Sequence, residues 1–369
     1  MKRIIAFTFL LIALSACTRS STGEVALYTT PTPDVSAIAA VEQSIQQVIQ
    51  DEGENVLAFI VAEISVENIR ISQDGLYAVG WLIPIDPETN IPVPIEPGLV
   101  LLQKDATDWR VWMPTTPGWY EMLAIIPDEI LSERHKEVWA KRVGAQIEAA
   151  QPAAALTGYK LPWEAGISRY LTQSTCHDQY TPSGNAHYAF DFSTYGELWN
   201  IYAAKGGIVW LWKDDIPTCY EYTCSDTQPL GNYMVIKDTS TNPVSYQLYL
   251  HLKQNSIPAE LKTLGTSIAQ GQFIGNVDNT GQSWGHHLHF QVQVPLYGEN
   301  YYWGRSIDIV FDDVDINGGR PRLKSSWCDD EAYCTFPGDV CNDFRATYTS
   351  QNTIVEDGPI LIYFPFITR

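Results

Sequence analysis

Positive charge is scarce in this chain. Its 369 residues carry 23 lysines and arginines against 43 aspartates and glutamates, a formal net charge of −20 at pH 7. Nucleic-acid binding depends on neutralising phosphates with Lys and Arg, so this balance excludes nucleic acid as a partner. It also excludes a polybasic membrane patch. Long apolar runs are missing as well. The run from Ile4 to Leu14 and the apolar end from Ile360 to Ile367 are both too short to span a bilayer. No His-Glu-x-x-His sequence is present, and no two of the seven cysteines form a C-x-x-C pair. There is no internal repeat.

What is present at the N-terminus points to export. Lys2 and Arg3 precede the Ile4–Leu14 run, as in a secretory signal. Leu14-Ser15-Ala16-Cys17 resembles a bacterial lipobox, which implies cleavage after residue 16, a lipidated Cys17 and membrane attachment outside the cytoplasm. Thr18 stands where diderm lipoproteins retained at the inner membrane carry aspartate. Without Cys17 six cysteines remain: Cys176, Cys219, Cys224, Cys328, Cys334 and Cys341. An even count in an exported chain reads as disulfides, with Cys219 to Cys224 the easiest local closure. A structural zinc on Cys328, Cys334 and Cys341 is the competing reading, weakened by the absent C-x-x-C spacing.

The organisation follows from composition and periodicity. Residues 1–17 are the signal and 18–36 a Ser/Thr/Pro-rich linker. Residues 37–150 read as a small α+β domain. Ile38, Val41, Ile45, Val48 and Ile49 form one helical face that Gly53 ends, followed by strand-like runs at 56–63, 76–84, 99–103 and 109–113. Residues 128–149 read as a second helix, with His135 as a solvated side chain. After the Ala149–Ala155 junction, short apolar runs alternate with Gly206-Gly207, Gly231-Asn232, Gly265, Gly271, Gly275 and Gly281. That punctuation predicts a mainly β domain over 151–318, with antiparallel sheets forming a groove. Residues 319–369 carry three cysteines and read as a disulfide-stapled extension ending in a strand.

Four of the seven histidines fall in three short segments: His187-Tyr188-Ala189-Phe190-Asp191, Tyr249-Leu250-His251-Leu252 and His287-Leu288-His289. Imidazole and carboxylate are zinc ligands, and a catalytic zinc keeps three protein ligands and one open position. Two ligand atoms on one zinc lie roughly 3.3 Å apart. His287 and His289, at i and i+2, share one face of a strand, so one can bind metal while the other enters the same cleft. His187 and Asp191 are too far apart on a straight strand. Ser183-Gly184-Asn185 and the Phe-rich flank of Asp191 predict a turn carrying His187 that enters a strand carrying Asp191. Tyr249 and His251 are again i and i+2, which would place both in the cleft. His286 would face away from it. Trp163, Tyr202 and Trp284 are either groove-lining or packing residues.

The order H-x-x-x-D, Y-x-H-L, H-L-H, with Gly265-x5-Gly271-Gln272-x-Ile274-Gly275 and Thr280-Gly281 between, resembles the LytM-type, lysostaphin-like zinc metalloendopeptidases that cut peptidoglycan peptides. The resemblance covers about residues 160–315. It implies one Zn2+ held by His187, Asp191 and His289, with His251 and His287 as the catalytic histidines. It also implies a peptidoglycan peptide substrate, whose recognition by so acidic a chain must be local. The chain departs from the family pattern at Ala189 (usually Gly), His286 (commonly Pro) and Gln291 (often Glu). Other implied readings are a non-catalytic wall-binding or hydrolase-regulating lipoprotein, as in degenerate members that lose zinc ligands, and a zinc peptidase acting on exported proteins or peptides.

Overall fold

The computed structural model describes residues 35–51, 63–87, 89–94, 98–113, 116, 118–143, 154–174, 185–219, 230–296, 300–322 and 345–355. Cys17, Cys176, Cys224, Cys328, Cys334, Cys341 and the apolar C-terminal run lie outside them. Cys219 is buried and disulfide-bonded, and its partner also lies outside the described residues. No described helix is long and apolar enough to cross a membrane.

The first part is an antiparallel four-stranded sheet of β1 (Glu63–Ile71), β2 (Tyr77–Ile85), β3 (Gly98–Asp105) and β4 (Asp108–Trp112), in that order. β2 is apolar along its length because both faces are covered. Helix α1 (Val35–Asp51) lays Val41 and Ile45 on Ala78, Leu82, Val100 and Leu102. The opposite face, with Val79, Trp81 and Leu101, packs on Trp119–Ile125 and on helix Glu133–Val143 through Trp119 and Trp139. β1 and the short helix Trp119–Ile125 were not foreseen.

His135 corrects an expectation. It is 2% exposed rather than solvated, with Nδ1 2.8 Å from Ser132 Oγ at the start of its helix. A charged helix still has one face turned to the core.

The second part is mainly β, as expected. A nine-stranded sheet runs β12 (Ser267–Ile268), β9 (Gly207–Lys213), β10 (Tyr233–Asp238), β11 (Ser245–Leu250), β14 (His287–Pro295), β7 (Phe190–Ser193), β6 (Ser168–Gln173) and β17 (Thr347–Thr349), with β15 (Gly304–Ser306) paired to β14 beside that path. Its centre is β11, β14 and β7. Sequence alternation makes this centre. In β14, Leu288, Phe290, Val292 and Val294 enter one core with Phe190 and Phe192 of β7 and Tyr249 of β11. The intervening His287, His289, Gln291 and Gln293 take the other face, because side chains alternate along a strand. Leu248 and Leu250 of β11, opposite Gln291 and His289, share that face, and Trp303 stacks on His289 with ring centroids 5.3 Å apart.

Two glycines admit a close backbone crossing beside this sheet. A Cβ on Gly231 would lie 2.6 Å from Thr280 O and 3.2 Å from His251 Nδ1. Gly281, at φ +79, faces the backbone of Gly231 in turn. Replacement of Gly231 by alanine is therefore expected to destabilise the protein by about 1–3 kcal/mol through overpacking. A lowered melting temperature by circular dichroism would show it, and an unchanged one would refute the crossing.

Candidate metal centre

Register brings the acidic and basic groups together. Asp191 of β7 and His289 of β14 are directly opposed across two antiparallel strands. Directly opposed residues share a face. Both side chains are fully buried, and His289 Nδ1 lies 3.2 Å from Asp191 Oδ1. His287, two residues earlier on the same face, puts Nε2 3.9 Å from Asp191 Oδ2. The turn Asn185–Tyr188 carries His187 into β7, as the sequence predicted. Tyr188 N donates to Ser306 Oγ at 3.0 Å and Ser306 N donates to Asn185 O at 2.7 Å, which ties this turn to β15 (Gly304–Ser306).

His251 reaches the same place by a different route. It follows the last residue of β11, and its φ of +64 breaks the strand alternation. Its ring thus turns toward the site, 4.6 Å from that of His287 and 6.4 Å from that of His289. Tyr249 stays on the strand and points the opposite way. It is fully buried against Phe290, accepting from Ala204 N at 2.7 Å and donating to Gln247 Oε1 at 2.7 Å. Burial pushes its phenol pKa far up. The expectation that Tyr249 lines the groove is therefore corrected: it is a core residue.

Backbone carbonyls set the tautomers of the two outer rings. A carbonyl only accepts, so His251 Nδ1–H donates to Thr280 O at 2.6 Å and His287 Nδ1–H donates to Gly285 O at 3.1 Å. In each ring this leaves Nε2 to accept or deliver a proton. Thr280 is itself clamped, since Asn232 N donates to its Oγ1 at 3.1 Å and that hydroxyl donates to Leu252 O at 3.0 Å. Sequence reasoning quoted Thr280 only within the Thr280-Gly281 motif and did not single out Gly285. Their carbonyl roles carry no residue-type signal.

The donor set can be tested against a metal. Two lone pairs at 3.2 Å repel, so Asp191 Oδ1 and His289 Nδ1 call for positive charge, a proton or a cation, on or between them. Their separation matches the roughly 3.3 Å expected for two atoms on one zinc. His187 is half-buried with its ring edge-on to Tyr188 at 4.7 Å, and among the described residues no three His, Cys, Asp or Glu side chains are gathered tightly enough to hold an ion. The structure thus assembles Asp191, His289, His287 and His251, with His187 on the adjoining turn.

Trp284 does both things the sequence allowed. It is 8% exposed, packs with Trp81, Trp119 and Trp139 of the first part, and also lines a cavity. Trp163 is likewise core, edge-on to Phe192 at 4.8 Å. Beside His287 lies a cavity of about 340 Å³ between the loop with Ile91, Pro92 and Pro94 and the segment Ser283–His286. Thr172 Oγ1 donates to Pro94 O at 2.8 Å and fixes that loop. His286 is on this rim, 3.5 Å from the buried Asp278.

The model of peptidase family M23 matches residues 185–302. No curated protein matches the chain. Among solved structures it is similar to the catalytic domain of a mutant of the prophage-encoded M23 protein EnpA from Enterococcus faecalis. The two are 21% identical over 40% of this chain and 93% of that one, with a TM-score of 0.26. It is also similar to the catalytic domain of the antimicrobial peptidase lysostaphin from Staphylococcus simulans, 20% identical over 41% and 85% of the two chains, TM-score 0.22. Of a chain in the SpoIIQ-SpoIIIAH pore forming complex it spans 55%, with 28% of its own length, 19% identity and a TM-score of 0.21. Residues 185–302 are a domain of peptidase family M23.

Proposed function

We propose that this chain is a zinc metalloendopeptidase hydrolysing peptide cross-links or stem peptides of bacterial cell-wall peptidoglycan, held outside the cytoplasm by a lipid on Cys17. The observation that carries the reading is the buried Asp191–His289 pair at 3.2 Å with two further imidazoles beside it. The family match supports it. Asp191 and His289 would hold the ion, with His187 from the adjoining turn as the third ligand. Zinc, when bound, supplies Lewis acidity toward a peptide carbonyl and lowers the pKa of water to about 7.

The protein's own part is proton handling and charge stabilisation. His251 and His287 each have Nδ1–H tied to a carbonyl and Nε2 turned to the site. One ring would take the proton of the attacking water at Nε2 and pass that proton to the leaving amine, and the other, when protonated at Nε2, would donate a hydrogen bond to the oxyanion. Burial of both rings removes competing water hydrogen bonds and strengthens these interactions.

A second reading has its own observation. Among the described residues no three His, Cys, Asp or Glu side chains are gathered tightly enough to hold an ion, which favours a non-catalytic wall-binding module. Metal content separates the two. The peptidase reading expects one zinc per purified full chain and its loss in Asp191→Asn, His289→Ala and His187→Ala, measured by elemental analysis after dialysis. Zinc-free wild type would leave the binding module. His187→Ala with full zinc would remove that residue from the ligand set.

His251→Ala should retain zinc and lose about 10²- to 10⁴-fold in turnover, the usual worth of a positioned acid or base. The assay is mass spectrometry of fragments released from sacculi, with a chelator control and an unfolded protein as competing substrate. Release of protein fragments alone would redirect the substrate to exported proteins.

For localisation, Cys17→Ser is expected to move the protein from the membrane to the soluble fraction on fractionation. Unchanged membrane retention would count against lipidation.

A further inference from the structure

Gln291 and Gln293 stand on the same buried face of β14 as His289, at i+2 and i+4. Neither belongs to the histidine–aspartate set, and a buried amide is costly to a core unless its hydrogen bonds are met. Here they form one continuous row. His289 Nε2 lies 3.2 Å from Gln291 Oε1. Gln291 Nε2 donates to Gln293 Oε1 at 2.5 Å and to Gly304 O at 3.2 Å. Gln293 Nε2 donates to Tyr302 O at 2.5 Å, and Gln293 Oε1 also accepts from Gly304 N at 2.8 Å.

The far end of the row fixes its direction. An amide group has two orientations of nearly identical shape, and only its partners decide between them. Tyr302 O can only accept and Gly304 N–H can only donate, so Gln293 has one orientation. Its Oε1 then faces Gln291 and requires a donor there, which only the Nε2 of Gln291 supplies. Gln291 Oε1 is left facing His289, where it requires the proton on Nε2. The remaining nitrogen, Nδ1, is the one 3.2 Å from Asp191.

We propose that Gln291 and Gln293 form an amide relay that reads the backbone polarity of Tyr302 and Gly304 and thereby selects the Nε2–H tautomer of His289, presenting Nδ1 beside Asp191 as the ligating nitrogen. They are positioning residues. The relay also accounts for an amide at 291, where the resembled family often has glutamate. A carboxylate there would set an oxygen against Gln293 Oε1 and Gly304 O, with no proton between them. As a route to a metal ligand the inference rests on the zinc reading. As a statement about the tautomer it does not.

The experiment is long-range proton–nitrogen correlation NMR on metal-free, histidine-labelled full chain, with zinc affinity measured in parallel by chelator competition. Wild type should show His289 as the Nε2–H tautomer, and an Nδ1–H ring there would overturn the relay without any variant. Gln291→Met should mix the tautomers and weaken zinc binding about 10- to 100-fold, the usual effect of removing a ligand's hydrogen-bond partner. Gln293→Met touches neither His289 nor Asp191, yet should also mix the tautomers, because it frees the Gln291 amide to turn. Gln291→Glu keeps the acceptor, so it should keep the Nε2–H tautomer while melting lower. A single Nε2–H tautomer in both methionine variants, with unchanged zinc affinity, would refute the relay. If wild type shows the expected tautomer but binds no zinc, the relay stands and the peptidase reading fails.

Discussion

The site depends on one strand register, that of β14 between β7 and β11. Asp191 faces His289 across the first pair and Leu250 faces His289 across the second. The same register sends Leu288, Phe290 and Val292 into the main core with Phe190 and Phe192. A slip of one residue would bury two imidazoles among phenylalanines and expose the apolar row to the polar face, so packing and chemistry enforce a single alignment. This is why a fully buried carboxylate can be tolerated at the centre of the sheet. The apolar side of the strands supplies the stabilisation, and the polar side holds Asp191 next to groups that can carry or share positive charge.

Around that register, precision comes from backbone rather than side chains. The rings of His251 and His287 are each oriented by a carbonyl, Thr280 O and Gly285 O. Those carbonyls sit on the segment 280–285, which crosses Gly231 at one end and meets Pro94 of the first part at the other. A Cβ on Gly285 would lie 3.1 Å from Pro94 Cβ. The first part is therefore continuous with the site through contact. Trp284 is anchored in its core while the carbonyl of the next residue, Gly285, orients the ring of His287, so seating of Trp284 and placement of His287 are mechanically linked.

Much of this was legible in the sequence, for a physical reason. Period-two alternation is a strong signal where both faces are buried, and His287-Leu288-His289 with its flanks displays it, as does Phe190-Asp191-Phe192. The turn before Asp191 was announced by Ser183-Gly184-Asn185. What alternation could not show was where it stops. Tyr249 and His251 obey i, i+2 spacing, but a left-handed backbone at His251 cancels the phase, so His251 reaches the site while Tyr249 faces the core. Left-handed φ at a histidine has no sequence signature comparable to glycine. His135 was misplaced because its burial is conferred by the core-facing side of a charged helix.

The row from His289 to Gln293 shows what such a polar face requires. Leu248 and Tyr246 flank it on β11, opposite Gln291 and Gln293, so no solvent stands ready to complete a missing hydrogen bond. In that setting a group's identity is dictated by its neighbours' unmet donors and acceptors more than by its own chemistry. The backbone of Gly304 in β15 and of Tyr302 two residues before it fixes Gln293, Gln293 fixes Gln291, and Gln291 fixes the imidazole. Substitution at 291 is thus constrained from the Gln293 side as well as from the His289 side. A glutamate that would serve the histidine equally well is disfavoured by a glutamine two residues on, and the same sheet that positions the site limits which residues can support it.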